Sequence, residues 1–173
     1  MRWLLVAILA YALLVLQTAA FHPGALTVEV GGHWARPDLV LVLGVFLALF
    51  FEPAEVFVVA WFLGLGCDLV TVAGRVGLQA LAFSVLLFLL SHFKPVVPRR
   101  RIWAQFTVCL VTVLVVHAAW YMAAQAVSGA WPDVGWSVKA ALVDAVYSAV
   151  LAPYVFWVLL KFRSPLGIPP ERA

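Results

Sequence analysis

The chain has 173 residues, 66% of them apolar and only 11% charged, with a mean hydropathy of +1.08. A globular domain is about 45 to 50% apolar and roughly 25% charged, so the composition excludes a water-soluble fold and points to an all-α integral membrane protein. Eleven Lys and Arg against eight Asp and Glu leave a formal charge of +3; four of them, Lys94, Arg99, Arg100 and Arg101, directly follow an apolar run, a placement that suits anionic lipid and not nucleic acid.

Apolar runs near the roughly 20 residues needed to cross a hydrocarbon core predict six transmembrane helices, at about 3–20, 38–52, 55–73, 76–93, 102–127 and 138–161. They form one bundle over residues 1–164, leaving 165–173, with three prolines, as a flexible tail. The first run ends in Thr18-Ala19-Ala20, which resembles a signal-peptide cleavage site. Its length and its start beside Met1 favour an uncleaved anchor. The second run, Leu39 to Phe51, is short: thirteen residues at about 1.5 Å each reach only some 20 Å, so whether it crosses fully is open. Glu52-Pro53-Ala54-Glu55 follows as a tight turn, because Pro53 has no N–H and biases Glu52 away from helix.

With Met1 cytoplasmic, Arg2, Lys94, Arg99, Arg100, Arg101, Lys161, Arg163 and Arg172 fall inside, and Arg36, Arg75 and Lys139 outside. Eight against three obeys the positive-inside rule and puts both termini in the cytoplasm. The outer surface is then 21–38, a turn at Gly74-Arg75, and Ser128 to Ser137. Trp3, Trp103, Trp131, Trp136 and Trp157 fall near span ends, as an aromatic belt requires.

Ionisable groups at bilayer depth are expensive and mark candidate sites. In the third span Ala60, Gly64 and Asp68 recur at four-residue spacing, which makes one face small and polar while Val58, Phe62, Leu65 and Leu69 turn elsewhere. Asp144, early in the last span, has Ser148 one turn on and Ala141, Ala145, Ala149 and Ala152 nearby. Small residues let helices approach closely and a carboxyl can then bond across; the reading is that Asp68 and Asp144 cap and join helices, with a proton or ion pathway as the alternative. Both acids lie toward the outer leaflet, where Asp38, Arg36, Arg75 and Lys139 can complete an ion-pair cluster. The two small-residue stripes are also the candidate docking faces for a partner helix. His117, on the most polar span with Gln105, Thr107 and Thr112, reads as an interhelical hydrogen-bond donor.

No metal or cofactor is expected. His22, Glu29, His33 and Asp38 crowd the first outer loop, but over seventeen residues they form no compact ligand pattern. Cys67 and Cys109 sit singly in apolar spans as small hydrophobes. Gly64-Leu65-Gly66 follows no strand and is no phosphate loop, and no catalytic constellation is present, so an enzyme is not expected.

Three segments taken together carry a family likeness: Arg36-Pro37-Asp38 leading into Leu39-Val40-Leu41-Val42-Leu43, then Gly64-Leu65-Gly66-Cys67-Asp68-Leu69, then Gly77-Leu78-Gln79-Ala80-Leu81. With the polar-then-Pro last helix, Asp144 through Pro153, they resemble the bacterial rod shape-determining protein MreD, whose members often carry Asn where Asp144 stands. The resemblance implies a non-catalytic inner-membrane scaffold of the cell-wall elongation complex, without cofactors. It would bind MreC directly, and RodA, its class B penicillin-binding transpeptidase and MreB indirectly, among membrane lipids, with self-association left open. It also implies a fold similar to the substrate-binding subunits of energy-coupling-factor transporters, which defines the alternative: a small-molecule, vitamin-like binding subunit. Asp38, Gly64, Asp68, Gly77, Ala141, Asp144 and Ala145 are the structural and interaction candidates.

Overall fold

A computed structural model describes residues 2–19, 27–30, 32–70, 77–95, 97–98, 101–127 and 133–161. Along the chain these form α1 (Arg2–Ala19), β1 (Val28–Val30), β2 (His33–Ala35), α2 (Leu39–Phe50), α3 (Pro53–Val70), α4 (Leu78–His92), α5 (Ile102–Val127) and α6 (Val134–Lys161). Helices α3, α5 and α6 are long and apolar enough to cross a membrane, whereas α1, α2 and α4 are shorter apolar helices.

Helix α2 is the axis of the bundle. Every residue from Leu39 to Leu49 is buried, and a helix that is apolar all round is stable only when surrounded. It is enclosed by the other five helices, with Phe46 meeting the Phe156 ring edge-on at 5.3 Å. Its shortness therefore belongs to a central helix, walled by protein on all sides. Helices α3 and α4 form one tightly packed hairpin and α5 and α6 another, while α1 lies outside against α2 and α3. In α1 only Val6 is buried among the described side chains.

Side-chain pairings fix the helix directions. Trp3 meets Phe51, and Gln17 meets Val40, so α1 and α2 are antiparallel. Phe57 meets Phe88 while Asp68 meets Gly77, which makes α3 and α4 antiparallel. Asp38 meets Ser148 and Phe46 meets Phe156, so α2 and α6 run in parallel. The six helices thus alternate up and down. One end of the bundle collects Trp3, Phe51, Lys94, Arg101 and Lys161, and is called the basic end; the other collects Gln17, Asp38, Asp68, His117 and Asp144, and is called the acidic end.

Local chemistry explains the helix boundaries. Asp38 caps α2, its Oδ1 accepting from Leu41 N at 2.9 Å. Pro53 occupies the first position of α3, where its missing N–H leaves nothing unsatisfied. Gly77 enters α4 at φ +110°, a conformation an L side chain resists.

Two features depart from the sequence reading. Within the expected 21–38 loop the chain makes an antiparallel hairpin, Val28 opposite Ala35 and Val30 opposite His33, with Gly32 at φ +81° in its turn. The final helix also begins at Val134 and not near 138, because Asp133 takes the cap position and its Oδ1 accepts from Trp136 N at 3.0 Å. The expected turn at Gly74-Arg75, His22, Trp131 and the tail at 165–173 lie outside the described residues.

Candidate functional site

The acidic end holds a buried polar cluster built from four elements. Asp144, on α6, is 2% exposed and accepts four hydrogen bonds. Its Oδ1 faces His33 Nε2 at 3.2 Å and accepts from Arg36 N at 3.1 Å. Its Oδ2 faces His117 Nδ1 at 3.3 Å and accepts from Tyr121 Oη at 2.7 Å. A carboxylate offers about four lone-pair sites, so Asp144 is saturated.

Asp38 is bonded through both carboxylate oxygens and its backbone N–H. Oδ1 caps α2, Oδ2 stands 3.0 Å from His117 Nε2, and its backbone N–H donates to Ser148 Oγ at 2.9 Å. Ser148 in turn donates to Asp144 O. The His117 ring therefore bridges two carboxylates on different helices. It serves both at once only with a hydrogen on each nitrogen; with one, a buried carboxylate is left short. The outcome is a clamp that ties the β1–β2 hairpin, α2, α5 and α6 together.

Beside the clamp lies an open cavity of about 410 Å³. Trp34, Trp120 and Tyr121 supply its aromatic walls, and Gln17, Arg36 and Gln79 its polar ones. The buried Gln79 Oε1 has no hydrogen-bond partner. Such convergence was not expected from the sequence, because its contributors are spread from Gln17 to Asp144.

Asp68 is not part of this cluster. It sits in α3 and accepts from the backbone N–H groups of Gly77 (2.8 Å), Gln79 (3.2 Å) and Ala80 (3.1 Å), capping α4 from a neighbouring helix. Gly64 lies in the same junction, where an added Cβ would stand 2.5 Å from Ala80 Cα and 2.6 Å from Gln79 O. Close backbone approach is what brings the Asp68 carboxylate within reach of α4.

Of the expected ion-pair cluster, Asp38 and Asp144 come together, Asp68 stands apart, and Arg36 enters through its backbone N–H. Lys139 is exposed and Arg75 lies outside the described residues. Ala60, Ala141, Ala145 and Ala149, expected as possible docking faces, are at most 1% exposed and serve the bundle's own packing. The interhelical role expected of His117 is what the structure shows. Tyr121 was missed, although it stands four residues after His117 and so on the same helix face. Cys67 and Cys109 are buried free thiols. Among the described residues no three His, Cys, Asp or Glu side chains are grouped to hold a metal ion.

Compared with known protein families, residues 1–162 match the rod shape-determining protein MreD. The chain belongs to the MreD family. No curated protein and no solved structure matches it. MreD proteins are inner-membrane proteins with a role in rod-shape determination.

The segments that carry the MreD likeness are the ones that build the two polar junctions. Pro37-Asp38 starts α2 and faces His117. The glycine-rich stretch to Asp68, together with Gly77, closes α3 on α4. The polar-then-Pro helix supplies Asp144 and Ser148 to the clamp.

Proposed function

We propose that this MreD protein is a non-catalytic membrane scaffold of the cell-wall elongation complex that binds MreC and, through it, helps control RodA and its penicillin-binding transpeptidase. The observation that carries the reading is the commitment of the clamp: Asp144 has four hydrogen-bond partners and each oxygen of Asp38 has one, all within the protein. Groups so committed hold a shape; they are not poised for proton transfer to a substrate. The clamp fixes the β1–β2 hairpin, whose Val28, Val30 and Trp34 are about half exposed, on the outer face of the bundle.

With the small-residue stripes turned inward, a single-span partner needs another seat. A cleft of about 700 Å³ between α1 and α3 supplies one, with Ala7, Ala10 and Ala54 among its lining and Trp3, Val58 and Phe62 beside them. Lipid gives no hydrophobic drive to helix association, so close approach over small residues is the main source of affinity.

A second reading is favoured by one observation, the aromatic-walled cavity with the orphaned Gln79 Oε1. This is the vitamin-like binding subunit of a transporter. Co-purification in mild detergent with MreC from the same cell separates the two. The scaffold reading predicts a stoichiometric MreC complex. Purification alone, together with tight retention of a small molecule that donates to Gln79, replaces it with the transporter reading.

A further inference from the structure

The basic end carries a second lipid-facing groove, independent of the clamp and of the α1–α3 cleft. It lies between the start of α5 and the end of α6 and measures about 780 Å³. Ile102, Gln105 and Phe106 form one wall, and Pro153, Tyr154 and Trp157 the other. Pro153, inside α6, cannot donate to the carbonyl one turn back, and its ring crowds that turn on the groove wall. Tyr154 and Trp157 are 70% and 60% exposed, so the groove faces outward from the bundle.

The groove mouth is cationic. Arg101 immediately precedes Ile102, and Lys161 immediately follows Leu160, both of these neighbours being wall residues. Lys161 Nζ sits 3.7 Å from the Trp157 ring centroid, so its charge stands over a residue of the groove wall. The first turn of α5 contains no acid. Neither Arg101 nor Lys161 has a carboxylate partner among the described residues. Arg99, Arg100 and Arg163 adjoin the pair in the sequence. The α1–α3 cleft differs in sign, since its wall includes Glu55.

We infer that the α5–α6 groove is a binding site for an anionic phospholipid, with an acyl chain along Phe106, Pro153 and Tyr154 and the phosphate between Arg101 and Lys161. An apolar trough with paired cations at its mouth matches that amphiphile's two ends. A zwitterionic lipid fills the trough equally well but brings its own cation against Arg101 and Lys161. A basic pocket between helices at the cytoplasmic side selects acidic headgroups in this way.

The test uses the full chain reconstituted in vesicles of equimolar phosphatidylglycerol and phosphatidylcholine with matched acyl chains, extracted in mild detergent, with retained lipid counted by native mass spectrometry. The wild-type protein should keep phosphatidylglycerol over phosphatidylcholine by about tenfold. The double variant Arg101→Gln/Lys161→Gln should bring the ratio close to one, while Lys139→Gln, at the opposite end, should leave it unchanged. Val150→Trp, at a half-exposed position on the groove wall, should reduce retention of both lipids with the charges intact. Equal retention of the two lipids by the wild type, a ratio unmoved by the double variant, or full retention in Val150→Trp overturns the site. The single variants Arg101→Gln and Lys161→Gln, each expected to lower the ratio partway, decide the matter if the double variant does not fold.

Discussion

His117 Nε2 stands 3.0 Å from Asp38 Oδ2, joining α5 to the first residue before α2 across 79 positions of sequence. The same ring reaches Asp144 with its other nitrogen. Removing one member of a buried charge pair strands the others, at about 3 to 5 kcal/mol. His117→Leu is therefore expected to lower unfolding stability in detergent by about 3 kcal/mol. An unchanged melting transition in that variant is the result the clamp does not allow.

Asp144→Asn should be milder. The amide oxygen still accepts two of the four bonds, and its nitrogen must face either His33 and Arg36 N or His117 and Tyr121. A loss of about 1 to 2 kcal/mol is expected, against at least about 3 for Asp144→Leu. Thermal denaturation of both variants checks the order, and a reversed order contradicts the saturation of Asp144.

The α3–α4 junction makes a separate prediction. Asp68→Leu leaves three backbone N–H groups without their acceptor and should cost about 2 kcal/mol, while Asp68→Asn keeps two of them and should cost about 1. Gly64→Ala forces its Cβ onto the Ala80 backbone and should destabilise by about 2 to 3 kcal/mol. Chemical denaturation in detergent measures all three. Stability in Gly64→Ala equal to the wild type removes the close helix approach from the account.

Much of this architecture is legible in the sequence. Six apolar runs coincide with the six helices because lipid solubility writes itself into composition, and Asp38 and Gly77 fall at helix starts whose chemistry is local. The clamp is harder to read. Asp38, His117 and Asp144 belong to different helices, and nothing in their spacing says which helix packs beside which; only the parallel pairing of α2 with α6 brings Asp38 to Ser148. The inward direction of the Ala141, Ala145 and Ala149 stripe was equally hidden, because small residues suit an internal and an external helix contact alike. The β1–β2 hairpin escaped notice because three-residue strands give no periodicity to detect.

The charge at the two ends makes the orientation testable. With Lys94, Arg101 and Lys161 at one end, we propose from the positive-inside rule that this end faces the cytoplasm. A cysteine introduced at the exposed Val134, at the acidic end, should react with an impermeant thiol reagent in intact spheroplasts, and one at the exposed Pro98 should react only after lysis. The opposite pattern inverts the protein.

The most direct test of the scaffold account is to fill the α1–α3 cleft and measure MreC recovery. Ala10 and Ala7 line it on α1, a helix that buries little of its own surface, so Ala10→Trp and Ala7→Trp occupy the cleft while sparing the core around α2. Binding over small residues depends on close approach, and each variant should lower the MreC recovered by pull-down about tenfold with the melting transition unmoved. Undiminished recovery of MreC with both variants, at wild-type expression and stability, contradicts docking in the cleft.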